Sequence, residues 1–209
     1  MSTAFETIAR IKLVPVVAIH DADRSHDLAE ALIAGGLPCA EITFRTAAAA
    51  DAIGKMAARG DLLVGAGTVL TTDQVKIAKD AGATFIVSPG FNPDVVSYCL
   101  EQEIPVTPGV ATPTDIEAAL KLGLKALKFF PAEAFGGLKT LKAISAPYGE
   151  VKFIPTGGIN AGNVCDYLAH PKVMACGGSW MVTSTLIAEG RFDTIRQLVQ
   201  EAVQLVGGL

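Results

Sequence analysis

Ala126-Leu127-Lys128-Phe129-Phe130-Pro131 is a strand-like apolar run with a single ammonium set into it. Period-two alternation puts Lys128 and Phe130 on one face and Leu127 and Phe129 on the other. Similar runs, rich in β-branched residues, recur at intervals of about twenty residues. Upstream they cover 13–19, 39–44, 62–65, 84–88 and 104–107; downstream, 151–155 and 173–177. Helical patterns at 23–34, 47–58, 72–81 and 114–122 fall between strand runs. Thr71-Thr72-Asp73 and Thr112-Pro113-Thr114-Asp115 supply N-cap chemistry, and Gly35, Gly60, Gly82 and Gly123 stand where helix C-caps belong.

Eight βα units in order, without a long linker, predict an α/β protein of the (β/α)8 TIM barrel type. One domain over 1–209 is expected, with an extra N-terminal helix at about 2–11 closing the barrel bottom. The alternative, an open doubly wound sheet, usually carries a glycine fingerprint after its first strand. Here Ile19-His20-Asp21-Ala22-Asp23 has no glycine.

Half of the 209 residues are hydrophobic and 18% are charged, which describes a packed globular chain. A net charge of −4 offers no basic footprint for nucleic acid or an anionic membrane. Any anion must therefore be held locally, by placed amides and one or two cations. Residues 1–6 read as the start of a helix and not as a signal peptide. The uncharged stretch 173–188 is too short and too polar to span a bilayer. Cys39, Cys99, Cys165 and Cys176 are scattered without ligand spacing, and they suit reduced thiols in a cytoplasmic protein. His20, His26 and His170 form no HxH or HExxH pattern, so no metal is expected. His20 reads as a structural histidine, and Glu133 as part of the first turn of a helix.

In a barrel the catalytic end lies at the C-termini of the strands, and the polar residues gather there. Alternation turns Glu41, Thr43 and Arg45 inward on the second run, and Lys128 and Phe130 inward on the sixth. Even-numbered strands share layers, so Glu41 and Lys128 are expected to approach each other. Burying an ammonium costs solvation and favours the neutral amine, which can attack a ketone and form a Schiff base. A carboxylate beside it can shuttle the protons that such chemistry requires. The pair also admits a purely structural reading as a buried ion pair, and Lys128 alone one as a snorkelling stem. Arg45 offers a planar fork to a carboxylate, or else is a surface arginine. Thr68, after Gly65-Ala66-Gly67, either joins Arg45 on that carboxylate or caps the next helix. Thr156-Gly157-Gly158-Ile159-Asn160 and Gly177-Gly178-Ser179-Trp180 follow the last two strands, where barrels often bind phosphate; ordinary tight turns are the alternative.

Together these segments resemble the family of 2-keto-3-deoxy-6-phosphogluconate (KDPG) and 4-hydroxy-2-oxoglutarate (KHG) aldolases. The resemblance is carried by Glu41-Ile42-Thr43-Phe44-Arg45-Thr46, Val64-Gly65-Ala66-Gly67-Thr68-Val69-Leu70, Ser88-Pro89-Gly90 and Pro108-Gly109. It continues through Lys128-Phe129-Phe130-Pro131-Ala132-Glu133, Pro155-Thr156-Gly157-Gly158-Ile159 and Gly177-Gly178-Ser179-Trp180. The family implies a metal-free and cofactor-free class I aldolase with Lys128 as the Schiff-base lysine and Glu41 as the proton shuttle. It implies Arg45 and Thr68 on the pyruvate carboxylate, with Pro89 and Phe130 around the pyruvyl carbons. Thr156 would meet the aldehyde-derived portion and influence stereochemistry, and Gly157, Gly158 and Ser179 would receive the phosphate. A phosphorylated 2-keto acid substrate and a cytoplasmic homotrimer are implied as well. An aldolase for the phosphogalactonate epimer is the nearest alternative. A sugar-phosphate isomerase and a non-catalytic phosphometabolite binder are the alternatives from other classes.

Overall fold

The computed structural model describes residues 3–207. The chain alternates strands and helices: α1 (Thr3–Ile11), β1 (Leu13–Val17), α2 (Ser25–Ala34), β2 (Cys39–Thr43), α3 (Ala49–Ala57), β3 (Leu63–Gly67) and α4 (Thr72–Asp80). It continues with β4 (Ile86–Val87), α5 (Pro93–Glu101), β5 (Val106–Thr107), β6 (Gly109–Val110), α6 (Pro113–Lys121), β7 (Ala126–Phe129) and α7 (Gly137–Ser145). The last elements are β8 (Lys152–Pro155), α8 (Val164–Leu168), β9 (Cys176–Gly178), α9 (Ser184–Ala188) and α10 (Phe192–Gly207).

The strands do not form the closed eight-stranded barrel expected from the sequence. They make two parallel sheets, a six-stranded half-barrel in the order β5-β4-β3-β2-β1-β9 and a three-stranded sheet β6-β7-β8. The break falls just past the fifth run, where Pro108 separates β5 from β6. Proline has no N–H to give a ladder. Val106 and Thr107 therefore pair back to β4, while Gly109 and Val110 pair forward to β7. Gly109 is the second cause, since a Cβ there would sit 1.9 Å from the Pro89 carbonyl oxygen. At the other seam β8 meets the β9 region through two isolated bridges, Phe153 with Val173 and Thr156 with Gly177.

Two apolar layers fix this arrangement. The larger lies between strands and helices and takes the outward residues, among them Val17, Ile42, Ala66, Ile86, Leu127 and Phe153. The smaller is the interior, where Phe5 and Ile8 of α1 meet Val14, Cys39, Phe85, Val87, Ala126 and Ile154. An N-terminal helix thus packs against inward-facing strand residues, and Ser2 of the expected segment lies outside the described residues. Thr71 caps α4 by accepting from the Gln74 amide, and Thr112 makes a capping box with Asp115 at α6. Gly60, Gly82 and Gly123 adopt the left-handed conformation after their helices, but at α2 Gly36 takes it instead of Gly35. Gly35 is required for closeness: a Cβ there would meet Val199 of α10 at 2.5 Å.

Candidate active site

One cleft of about 260 Å³ opens at the carboxyl ends of the strands. Every site residue read from the sequence lines it: Glu41, Arg45, Thr68, Pro89, Lys128, Phe130, Thr156, Gly157, Gly158 and Ser179. Its floor is buried and its rim exposed, with Lys128 and Glu41 at 5% and 3% exposure and Arg45, Gly158 and Ser179 open to solvent.

Strand alternation and register bring the two buried charges together across 87 residues of sequence. Lys128 Nζ lies 3.5 Å from Glu41 Oε1 and 5.0 Å above the centre of the Phe130 ring. Glu41 owes its space to β3. A Cβ on Gly67 would stand 2.2 Å from Glu41 Oε1, so only glycine lets the carboxylate lie there. A 3.5 Å contact is a long one for a buried ion pair, and such pairs stabilise little once desolvation is counted. The arrangement leaves the amine and the carboxylate facing the same open cleft.

Arg45 is fixed from behind. Its Nε donates to Thr43 Oγ1 at 3.1 Å, and the Thr43 hydroxyl donates to the Val17 carbonyl at 2.7 Å. One bond along the segment and one across to β1 thereby aim the guanidinium, whose fork fits a carboxylate. Thr68 stands beside it with a φ of 56°, one of three non-glycine residues with a positive φ among those described. The helix cap that Thr68 might have supplied comes from Thr71, so Thr68 is left to the cleft. Backbone held in this sparsely populated region clusters at ligand sites.

After β8, in the three-stranded sheet, Gly157 and Gly158 turn with φ of 95° and 82° and share the cleft with Gly177, Gly178 and Ser179. The turn is braced on several sides. The Glu133 amide donates to the Gly157 carbonyl, and Asn160 and Asn163 both donate to the Gly158 carbonyl. The Glu133 carboxylate accepts from the Tyr167 hydroxyl at 2.5 Å. Glu133 therefore does not start a helix, since α7 begins at Gly137; it packs beneath the glycine turn. Tyr167 is pushed above its ordinary pKa, first by burial and then by this bond to Glu133.

Several lining residues escaped the sequence reading. Val16 and Ile159 complete the walls, and Thr43, seen only as inward-facing, is the anchor of Arg45. A threonine two residues before an arginine, on the same strand face, was the available signal. His20 does not join the cleft; it is exposed at a separate surface hollow with Asp21 and Arg24. Among the described residues no group of three or more His, Cys, Asp or Glu is placed to hold a metal. The four cysteines are free thiols; burial raises Cys39 and Cys176 and pushes Cys99 up to about 12.

Comparison with known proteins agrees with the geometry. A family model described as KDPG and KHG aldolase matches residues 5–198. The chain is 49% identical over 208 residues to a 2-dehydro-3-deoxy-phosphogluconate aldolase of Treponema pallidum, covering 99% of each. It is 42% identical over 193 residues to a KHG/KDPG aldolase of Escherichia coli, covering 92% of this chain and 91% of that one. It also superposes on the KDPG aldolase of Legionella pneumophila with a TM-score of 0.92 at 39% identity. That match covers 97% of this chain and 98% of the other, whose structure holds pyruvate captured at low pH as a covalent carbinolamine intermediate. With the family model spanning most of its length and relatives this similar from end to end, the chain belongs to the KDPG and KHG aldolase family.

Proposed function

We propose that the protein is a class I aldolase that cleaves 2-dehydro-3-deoxy-6-phosphogluconate to pyruvate and glyceraldehyde 3-phosphate. The same cleft cleaves 4-hydroxy-2-oxoglutarate to pyruvate and glyoxylate. The observation that carries this reading is the Lys128–Glu41 pair, buried together at the floor of the cleft that collects the expected side chains.

The neutral Lys128 amine attacks the substrate's C2 carbonyl to give a carbinolamine. Glu41, as the acid, protonates the departing hydroxyl; water leaves and an iminium forms. The Glu41 carboxylate then takes the proton of the 4-hydroxyl. The C3–C4 bond breaks, its electrons pass into the iminium, and the aldehyde departs from the resulting enamine. Glu41 returns its proton to C3, and water hydrolyses the pyruvyl iminium, freeing Lys128. Water released in the first half is consumed in the second, so the net reaction is cleavage alone. Arg45 and Thr68 bind the C1 carboxylate, and Pro89 and Phe130 wall the pyruvyl carbons. Thr156 faces the aldehyde portion, and Gly157, Gly158 and Ser179 hold the phosphate at the far rim. Supporting this polarity, the cation follows β2 of the six-stranded sheet and the glycine turn follows β8 of the three-stranded one, so they enter the cleft from different sheets. The gluconate epimer takes precedence over the galactonate one because relatives this similar carry the gluconate name.

The whole chain acts as one catalytic unit, assembled as a cytoplasmic homotrimer. In support of assembly, Leu70, Ile77 and Leu100 expose apolar surface on or beside the packed helices α4 and α5. No helix among the described residues is long and apolar enough to cross a membrane. Light scattering that returns a monomer mass would refute the trimer. The chemistry is tested by borohydride reduction in the presence of pyruvate, followed by peptide mass spectrometry. A reduced pyruvyl adduct on the Lys128 peptide is the expected result; unmodified protein overturns the mechanism.

A further inference from the structure

Among the described residues, two buried side-chain oxygens lack a hydrogen-bond partner: Ser25 Oγ in α2, and Thr107 Oγ1. The second lies at the reacting centre. Thr107 ends β5 with 1% exposure, and alternation turns it inward because its neighbour Val106 belongs to the outer core. It lines a small hollow of about 10 Å³ on the core side of the cleft, with Glu41, Lys128 and Thr156, which also line the cleft, as the other polar walls. Ile8, Val14, Phe85, Val87 and Ile154 form the apolar remainder. That volume is close to one probe sphere, the room a single water needs, and two to four polar partners are what holds such a water. A buried hydroxyl left without a partner is costly, so an oxygen aimed at this void has a reason to be there.

We propose that Thr107 is a positioning residue that holds one water molecule against Lys128 and Glu41 from the core side. The idea rests on the Schiff-base reading above. Substrate enters from the cleft, so this water is not displaced by it. Held by Thr107, the water donates to the Glu41 carboxylate and turns to accept when Glu41 carries its proton. It thereby supports both protonation states that the shuttle must visit, and restrains the carboxylate while Lys128 is engaged as an imine. The ionisable groups that face Glu41 are Lys128 from β7, Arg45 from the end of β2, and Cys39 lower on β2. The neighbours from α1, β4 and β8 are Ile8, Val87, Ile154 and Thr156, which do not titrate.

The test replaces Thr107 with Val, which keeps the shape and removes the oxygen, and with Ser, which keeps the oxygen and removes the methyl. Turnover against pH is measured for both variants and the parent, alongside borohydride trapping with pyruvate. Thr107→Val is expected to lower kcat about tenfold, to leave KM within about twofold, and to move the acid limb of the kcat profile upward. Thr107→Ser is expected to keep the parent's profile. A valine variant with the parent's profile overturns the proposal. So does a serine variant that loses turnover or shifts its profile, whether or not the valine protein folds. The trapping experiment separates this idea from the reading beneath it: a parent protein that forms no adduct on Lys128 removes the imine chemistry itself.

Discussion

Gly67 and Lys128 show how a single side chain, or the lack of one, sets the chemistry. Lys128 sits in an apolar strand where a leucine would pack, and Glu41 lies over a glycine where any Cβ would displace it. Lys128→Ala removes the proposed nucleophile and should abolish pyruvate release in a coupled assay. Glu41→Gln keeps the shape and loses the proposed proton shuttle, so turnover should fall by roughly two to four powers of ten with binding largely intact. Near-normal rates in both variants would refute the assignments. Gly67→Ala should act on the same group at one remove. Its methyl would lie 2.2 Å from Glu41 Oε1, so the carboxylate must move, and kcat should drop at least about tenfold by misplacement alone. A Gly67→Ala enzyme with unchanged kcat would mean that the carboxylate position is not critical. Lys128 and Glu41 were legible as a pair from parity and strand number. Thr107 and the Thr43 bond to Val17 were not, because a threonine's partner on a neighbouring strand is not specified by local sequence.

The turn after β8 and the loop after α8 are where single elements decide behaviour. Gly158 combines a φ of 82° with a closest approach of 2.6 Å between an added Cβ and the Glu133 side chain. Gly158→Ala is therefore strained twice over. It should raise KM for the phosphorylated substrate by about tenfold while changing KM for 4-hydroxy-2-oxoglutarate little. Equal losses on both substrates would argue that the turn does not hold phosphate. His170 lies below its ordinary value of 6.5, owing first to burial and then to the cations of Lys142, Lys172 and Lys152. Its Nδ1 lies 3.3 Å from the Lys172 amide, a bond that only the neutral ring accepts. As pH falls, the unfolded chain binds the His170 proton before the folded one does. This contribution to stability is complete above about pH 6.5 and is lost as pH falls toward the folded value. His170→Gln should flatten the decline of Tm across that window; an unchanged slope would remove His170 as its source. Glycine C-caps were visible in composition, but the role of Gly35 was not, because its need for glycine is imposed by Val199 on α10, far along the chain.

On the scale of the molecule, the sheet is interrupted where the active site needs an irregular backbone. Pro108 and Gly109 end the fifth strand run and let the Pro89 loop approach β6 to within a distance no side chain would permit. α1 fills the end of the interior opposite the cleft: Ile8, 1% exposed, lines the void directly below Glu41 and Lys128. Ile8→Ala should cost about 2–5 kcal/mol in denaturant unfolding, through lost burial and the cavity left behind. A loss below about 0.5 kcal/mol would show that α1 is not part of the core.

By itself the sequence determined what periodicity and composition can carry. Strand parity chose which residues face inward, the glycine turns marked the strand ends, and the motif series identified the family. Those signals are local, with a period of two or a spacing of a few residues, and survive in any tertiary setting. Only the tertiary structure decided the rest: whether the strands close into one barrel, which glycine ends α2, what Glu133 holds, and which hydroxyl lies under the lysine. Each of these turns on a contact between segments distant in sequence, where a missing N–H or a 2 Å clash outweighs local preference.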